Sequence, residues 1–215
     1  MRLTVLPLLL LLLLASTAQA ELKGTFSVPG QATMTIHYKD NDHIRLDTPS
    51  QGFMLISPEG MYTVLSQGGM RIAFDMSGMG DMLKQFDTKA LDDFADGEPP
   101  TITATDRKET VAGFTGRVHT VTMGDLTSEV VLTDDEDVVA LTEGFLAAIT
   151  RLGQSISPHS GLDIEAMLHI IRDTGYPGIL KQDQGVVLRS LETVEMGDAF
   201  YKLPENIQVM NMGGR

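Results

Sequence analysis

The sequence predicts an α+β domain that is mainly β, an antiparallel sheet accompanied by two or three amphipathic helices. Three observations lead there. Between Leu22 and Asp75, apolar and polar residues alternate with period two in short runs broken by turn residues. After Met76, and again after Asp134, the apolar period lengthens to that of a helix. Period-two segments return between Ile102 and Thr133, and again from Ile179 to Leu203.

The first stretch is the clearest. Ala32, Met34, Ile36 and Tyr38 alternate with Thr33, Thr35 and His37; Met70, Ile72 and Phe74 alternate with Arg71, Ala73 and Asp75. Between such runs stand Val28-Pro29-Gly30, Asp40-Asn41-Asp42, Thr48-Pro49-Ser50, Ser57-Pro58-Glu59-Gly60 and Gln67-Gly68-Gly69, all residue types that favour turns. About six strands joined by hairpin-length loops fit this composition.

Met79, Met82, Leu83 and Phe86 then recur at helical spacing, with Leu91, Phe94 and Ala95 extending the pattern until Gly97-Glu98-Pro99-Pro100 stops it. Strands are expected over Ile102 to Thr105, Arg117 to Met123 and Leu126 to Thr133, the last two as a tight hairpin about Gly124-Asp125. The acidic run Asp134-Asp135-Glu136-Asp137 precedes Val138, Leu141, Phe145, Ala148, Ile149 and Leu152, so its carboxylates face the positive end of a helix dipole. A second helix is expected from Leu162 to Asp173, ended by Gly175-Tyr176-Pro177. Ile179 to Asp183, Gly185 to Met196 and Phe200 to Leu203 read as further strands.

The N-terminus reads as an address. Arg2 precedes a largely apolar run containing Leu8 to Leu14, and Ala18-Gln19-Ala20 supplies a small-x-small cleavage site. The run falls short of the roughly 20 apolar residues that span a bilayer, so residues 1–20 are expected to be a cleaved Sec-type signal peptide and 21–215 one exported periplasmic domain. A lipidated protein would need a cysteine after the cleavage point, and the chain has none; no stable membrane anchor is expected. Loss of Arg2 leaves 15 basic against 29 acidic residues, a net charge of −14. Such a surface repels nucleic acid and anionic lipid.

Catalytic signatures are missing. The chain has no Gly-x-Ser-x-Gly, His-Glu-x-x-His, phosphate-binding glycine loop or cysteine nucleophile, and no convergent acid, base and nucleophile can be picked out. An enzyme is therefore not expected, nor any cofactor. No two of His37, His43, His119, His159 and His169 have the one-turn spacing of a helical metal clamp. His37 and His119 fall in the polar phase of their strands, which predicts solvated side chains. Asp40-x-Asp42 starts like a calcium loop, but Ile44 stands where an oxygen ligand belongs. Met76, Met79 and Met82 are spaced evenly enough to offer thioethers to Cu(I); the alternative is that adaptable methionines fill a core or line an apolar groove.

Several segments together resemble a known family: "YKDNDHIRLD" over residues 38–47, Gly52 to Ser57 followed by Gly60-Met61-Tyr62, and Lys84-Gln85-Phe86 closing the Met-rich helix. Glu109 to Phe114 and "FYKLPEN" over residues 200–206 complete the set. The chain resembles a family of exported bacterial proteins that is similar in turn to the periplasmic lipoprotein carriers and outer-membrane lipoprotein receptors of the Lol system. The resemblance implies a strongly curved antiparallel sheet, an incomplete β-barrel, with helices covering an apolar concave face. The helical segment at about 134–174 stands as an insertion in that pattern, and no functional residue is carried over.

The function expected is that of a binding protein, with an apolar groove for lipid, an acyl chain or another hydrophobic small molecule. Met34, Ile36, Ile44, Met54, Met70, Ile72, Phe74, Met79 and Met82 are its expected lining. Two rivals stand beside it: a soft-metal site at Met76, Met79 and Met82, and a scaffold that docks other envelope proteins.

Overall fold

The computed structural model describes residues 21–30, 33–49, 52–78, 99–156, 164–183 and 185–211. The expected leader at 1–20 and the helix expected from Met79 to Ala95 lie outside the described residues. Among the described residues twelve strands make one open sheet, in the order β12-β6-β5-β4-β3-β2-β1-β11-β10-β9-β8-β7.

The first six strands are a meander: β1 (Glu21–Ser27), β2 (Met34–Asp40), β3 (His43–Thr48), β4 (Gly52–Ser57), β5 (Gly60–Gln67) and β6 (Met70–Asp75). Their boundaries fall at the turn sequences. Gly52 opens β4 at φ +106, where a Cβ would overlap the Val64 carbonyl on β5, so only glycine serves there. Three more antiparallel strands follow, β7 (Thr101–Val111), β8 (Phe114–Met123) and β9 (Leu126–Thr133). Helices α1 (Glu136–Ile156) and α2 (Ile164–Asp173) precede β10 (Gly178–Gln182) and β11 (Val187–Val194). β11 pairs antiparallel with β1 from Glu21↔Val194 to Ser27↔Val187, and so joins the two halves of the sheet.

Three elements differ from the expectations. Phe200 to Leu203 is not a strand: Asp198–Tyr201 forms a 3-10 turn. The reason is packing, because Phe200 and Tyr201 both contact the same layer of side chains, and a strand would send neighbours to opposite sides. β12 (Gln208–Asn211) adds to β6 in parallel, so the sheet is not wholly antiparallel. β7 runs six residues past Thr105, to Val111. Its continuation, Asp106-Arg107-Lys108-Glu109, carries the charges and the register shift that blunt an exposed sheet edge.

Register assigns the faces, since paired residues share one side. Leu22, Phe26, Met34, Ile36, Tyr38 and Ile44 lie on one face, and α1 crosses it. Contact there is close. A Cβ on Gly24 would overlap the Leu141 side chain, and one on Gly144 would overlap the Tyr38 ring. α1 begins as its acidic run predicts: the Asp135 carboxylate accepts a hydrogen bond from the Val138 N–H at 3.2 Å. Its buried residues Val138, Leu141 and Ala148 join the main core. The opposite face carries Phe53, Leu55, Val64 and Ala73, covered by residues 196–207 with Tyr201 fully buried. Among the described residues no helix is long and apolar enough to cross a membrane.

Candidate functional site: an apolar cavity between sheet and helices

The amphipathic face of α1 does not seal against the sheet along its whole length. Between it, α2 and the strands lies a cavity of about 420 Å³. Phe26, Met34 and Ile36 of β1 and β2 form one wall; Ile102, Val121, Val130 and Leu132 of β7 to β9 form another. Leu141, Phe145, Leu146 and Ile149 of α1 and Ile170 and Ile171 of α2 roof it. Pro100, Ile179 and Val186 complete the apolar lining. The remaining two residues, Thr142 and Gln182, are polar.

Those two are placed differently. Thr142 is buried, and its hydroxyl oxygen accepts the Ile179 N–H at 3.0 Å, which ties α1 to β10 and leaves the hydroxyl proton to donate elsewhere. Gln182 ends β10 with its side chain exposed. His119 borders the wall on β8, opposite Val130 and two residues before Val121. It is 1% exposed, not solvated as its phase suggested, because Tyr176 beyond α2 covers it with ring centroids 5.9 Å apart. Its Nδ1 lies 3.1 Å from the Arg117 carbonyl, and its buried Nε2 has no hydrogen-bond partner. A carbonyl only accepts, so Nδ1 carries the proton. Burial holds the imidazole pKa below its ordinary value despite that bond, so the ring is neutral.

The expected groove residues divide. Met34 and Ile36 line the cavity. Ile44 is fully buried in the main core and the half-buried Met54 packs against that core; neither lines the cavity. Ile72 and Phe74 are half-buried on β6, and Met70 is 69% exposed. Met79 and Met82 lie outside the described residues. All seven described residues do share one face by register, but the helices cover the sheet around β1, β2, β9 and β10, away from β5 and β6. The lining from β8, β9 and the two helices was missed. Its trace in the sequence is the apolar stripe Leu141, Phe145 and Ile149, which needs a partner surface.

Met76 is buried in the core, 4% exposed, with its sulfur 3.4 Å from the Thr63 hydroxyl. Met70, exposed at the other end of β6, does not approach it. Among the described residues no three His, Cys, Asp or Glu side chains are grouped as a metal site would need.

A polar network on the opposite face fastens residues 196–207. The Arg45 guanidinium forks onto Asp47 at 2.9 and 3.1 Å and lies over the Phe53 ring at 3.7 Å. His37, only 5% exposed, contacts Asp47 at 3.4 Å and stacks edge-on against Phe200. Its burial also departs from the solvated side chain expected, because the C-terminal segment covers that face. Desolvation raises the Asp47 pKa, but the hydrogen bonds from His37 and Arg45 outweigh it and hold the carboxyl below the usual range. Glu21 accepts the Met196 N–H at 2.7 Å, and Lys39 bridges Glu21 and Asp198. The segments 38–47 and 200–206, far apart in sequence, thus meet here.

No family model matches the chain, and no curated protein does. One similar solved structure, described as "Structure of PNGF-II in C2 space group", matches 89% of this chain and 30% of its own at 12% identity, with a TM-score of 0.36. This chain therefore spans less than a third of that one, and so loose a likeness carries no argument.

Proposed function

We propose that this protein is a non-enzymatic periplasmic binding protein that holds an acyl chain or a comparable apolar ligand in the cavity roofed by α1 and α2. The observation that carries the reading is the cavity itself: about 420 Å³, with every described lining residue apolar except Thr142 and Gln182. That volume falls in the roughly 300–1,000 Å³ range of small-molecule sites. Each buried CH₂ of a ligand contributes about 0.8 kcal/mol, so a plain chain of ten carbons binds usefully without a polar anchor.

In this reading the sheet is the curved half-barrel of the Lol-type carriers, the two helices are its cover, and residues 1–20 direct export before removal. The resemblance over residues 38–47 and 200–206 supports it. Export without a lipidatable cysteine suits a diffusible carrier in lipid or lipoprotein traffic between two membranes.

The test is uptake of a neutral apolar dye, N-phenyl-1-naphthylamine, by the purified protein, with solvent extraction and mass spectrometry of protein taken from native periplasm. Saturable dye fluorescence and a co-purifying lipid are expected. Neither appearing overturns the reading.

A further inference from the structure

Resting on that reading of the cavity, we infer that its ligand is an amphiphile with an uncharged, hydrogen-bonding head, such as a long-chain alcohol or a monoacylglycerol, and that ionised fatty acids are discriminated against. The argument is one of charge. Among the described residues no Lys, Arg, Asp or Glu lines the cavity. An ionised carboxylate drawn into it would lose its water and meet no cation among the described lining residues. Such a buried unpaired charge costs more than several buried methylenes supply.

Nearby charges do not alter this. The imidazole of His119, at the border of the wall, is neutral. Arg117, two residues further along β8, is held over the Tyr176 ring at 5.1 Å. Across the whole chain 29 acidic residues outnumber 16 basic ones, so the surrounding field also opposes an anion.

The polar groups that are present suit a neutral head. The exposed Gln182 amide both donates and accepts, which matches a hydroxyl or an ester. Within the cavity, the Thr142 hydroxyl accepts the Ile179 N–H and retains its own proton for a ligand oxygen. Neither group neutralises a carboxylate. The polar groups therefore set the selectivity, and the apolar lining sets the affinity.

The experiment is displacement of N-phenyl-1-naphthylamine from the full chain at pH 7.5 by dodecan-1-ol, 1-monododecanoylglycerol and dodecanoate, each below its aggregation threshold. The two neutral compounds are expected to compete at least tenfold more strongly than dodecanoate. Gln182→Lys places a cation at an exposed position and should raise dodecanoate affinity several-fold relative to that of dodecan-1-ol. Gln182→Leu should weaken the monoacylglycerol several-fold relative to the dye. Dodecanoate binding as tightly as the alcohol, in a protein that takes up dye, overturns the inference and leaves the binding reading standing. Failure to take up dye at all overturns the binding reading itself.

Discussion

The guanidinium carbon of Arg45 lies 4.4 Å from the centroid of the Phe200 ring. Because Phe53 flanks the same guanidinium from β4 at 3.7 Å, a charged side chain of β3 becomes the filling between two aromatic rings. One ring belongs to the sheet and the other to the C-terminal segment, so the sandwich is the fastening of residues 196–207.

Phe200→Ala should therefore loosen the segment more than the sheet. Phe200 is half-buried, so the expected loss is about 2 kcal/mol, below the roughly 3–5 kcal/mol of a fully buried phenylalanine. Hydrogen exchange should rise at 196–207 and stay unchanged in β7 to β9. Tyr201→Phe, which removes a buried hydroxyl without a partner, should leave stability equal or higher.

Gly144→Ala sets two effects against each other. In an exposed helix the change gains about 1 kcal/mol. Here the new Cβ would overlap the Tyr38 ring, and overpacking typically costs about 1–3 kcal/mol. Net destabilisation is expected in urea melts, and adding Tyr38→Leu should recover most of it. A plain stabilisation by Gly144→Ala would show that α1 is not seated on β2.

Mild acid should weaken the fold through His119. Its folded pKa is depressed by burial, whereas the unfolded chain takes up the proton near pH 6.5. The stabilisation is complete above about 6.5 and is lost as pH falls from there towards the folded value, since the unfolded state then binds more protons. Asp47, also depressed, adds a separate loss only below its unfolded value of about 4. Unfolding free energy followed from pH 7.5 to 3 should decline in two stages, and His119→Leu should flatten the stage above pH 5 while keeping the one below about pH 4.

Ile149→Phe should fill the cavity from its α1 roof. Dye uptake is expected to drop at least tenfold with the thermal midpoint held or raised, because the added ring occupies open space. Equal uptake would place the dye elsewhere.

The sequence made the meander legible because each of its strands is bounded by a turn with specific chemistry, such as Thr48-Pro49-Ser50 before Gly52. It also marked the start of α1, where a local acidic run does a local task. Its limits were set by distance. β12 is four exposed residues whose partner, β6, lies more than a hundred positions earlier, and nothing in Gln208-Val209-Met210-Asn211 announces that pairing. The fate of Phe200 and Tyr201 is decided by His37, Arg45 and His43. For the cavity, alternation reported which side of the sheet is apolar, and so grouped Met34 and Ile36 with Met70 and Phe74. Where the helices lie along that side is a tertiary matter, and it separates the lining residues from those that are buried or exposed.

The pairing of β1 with β11 bears on when this protein can become whole. In synthesis from the N-terminus, residues 21–27 are made long before their partners 187–194. Until then the six-strand meander must wait with the bare hydrogen-bonding edge of β1 open to any other extended chain. Loop closure over so long a span is slow. The interval between the making of β1 and of β11 is thus the time of greatest exposure to aggregation and proteolysis, and the period in which a chaperone would find the chain.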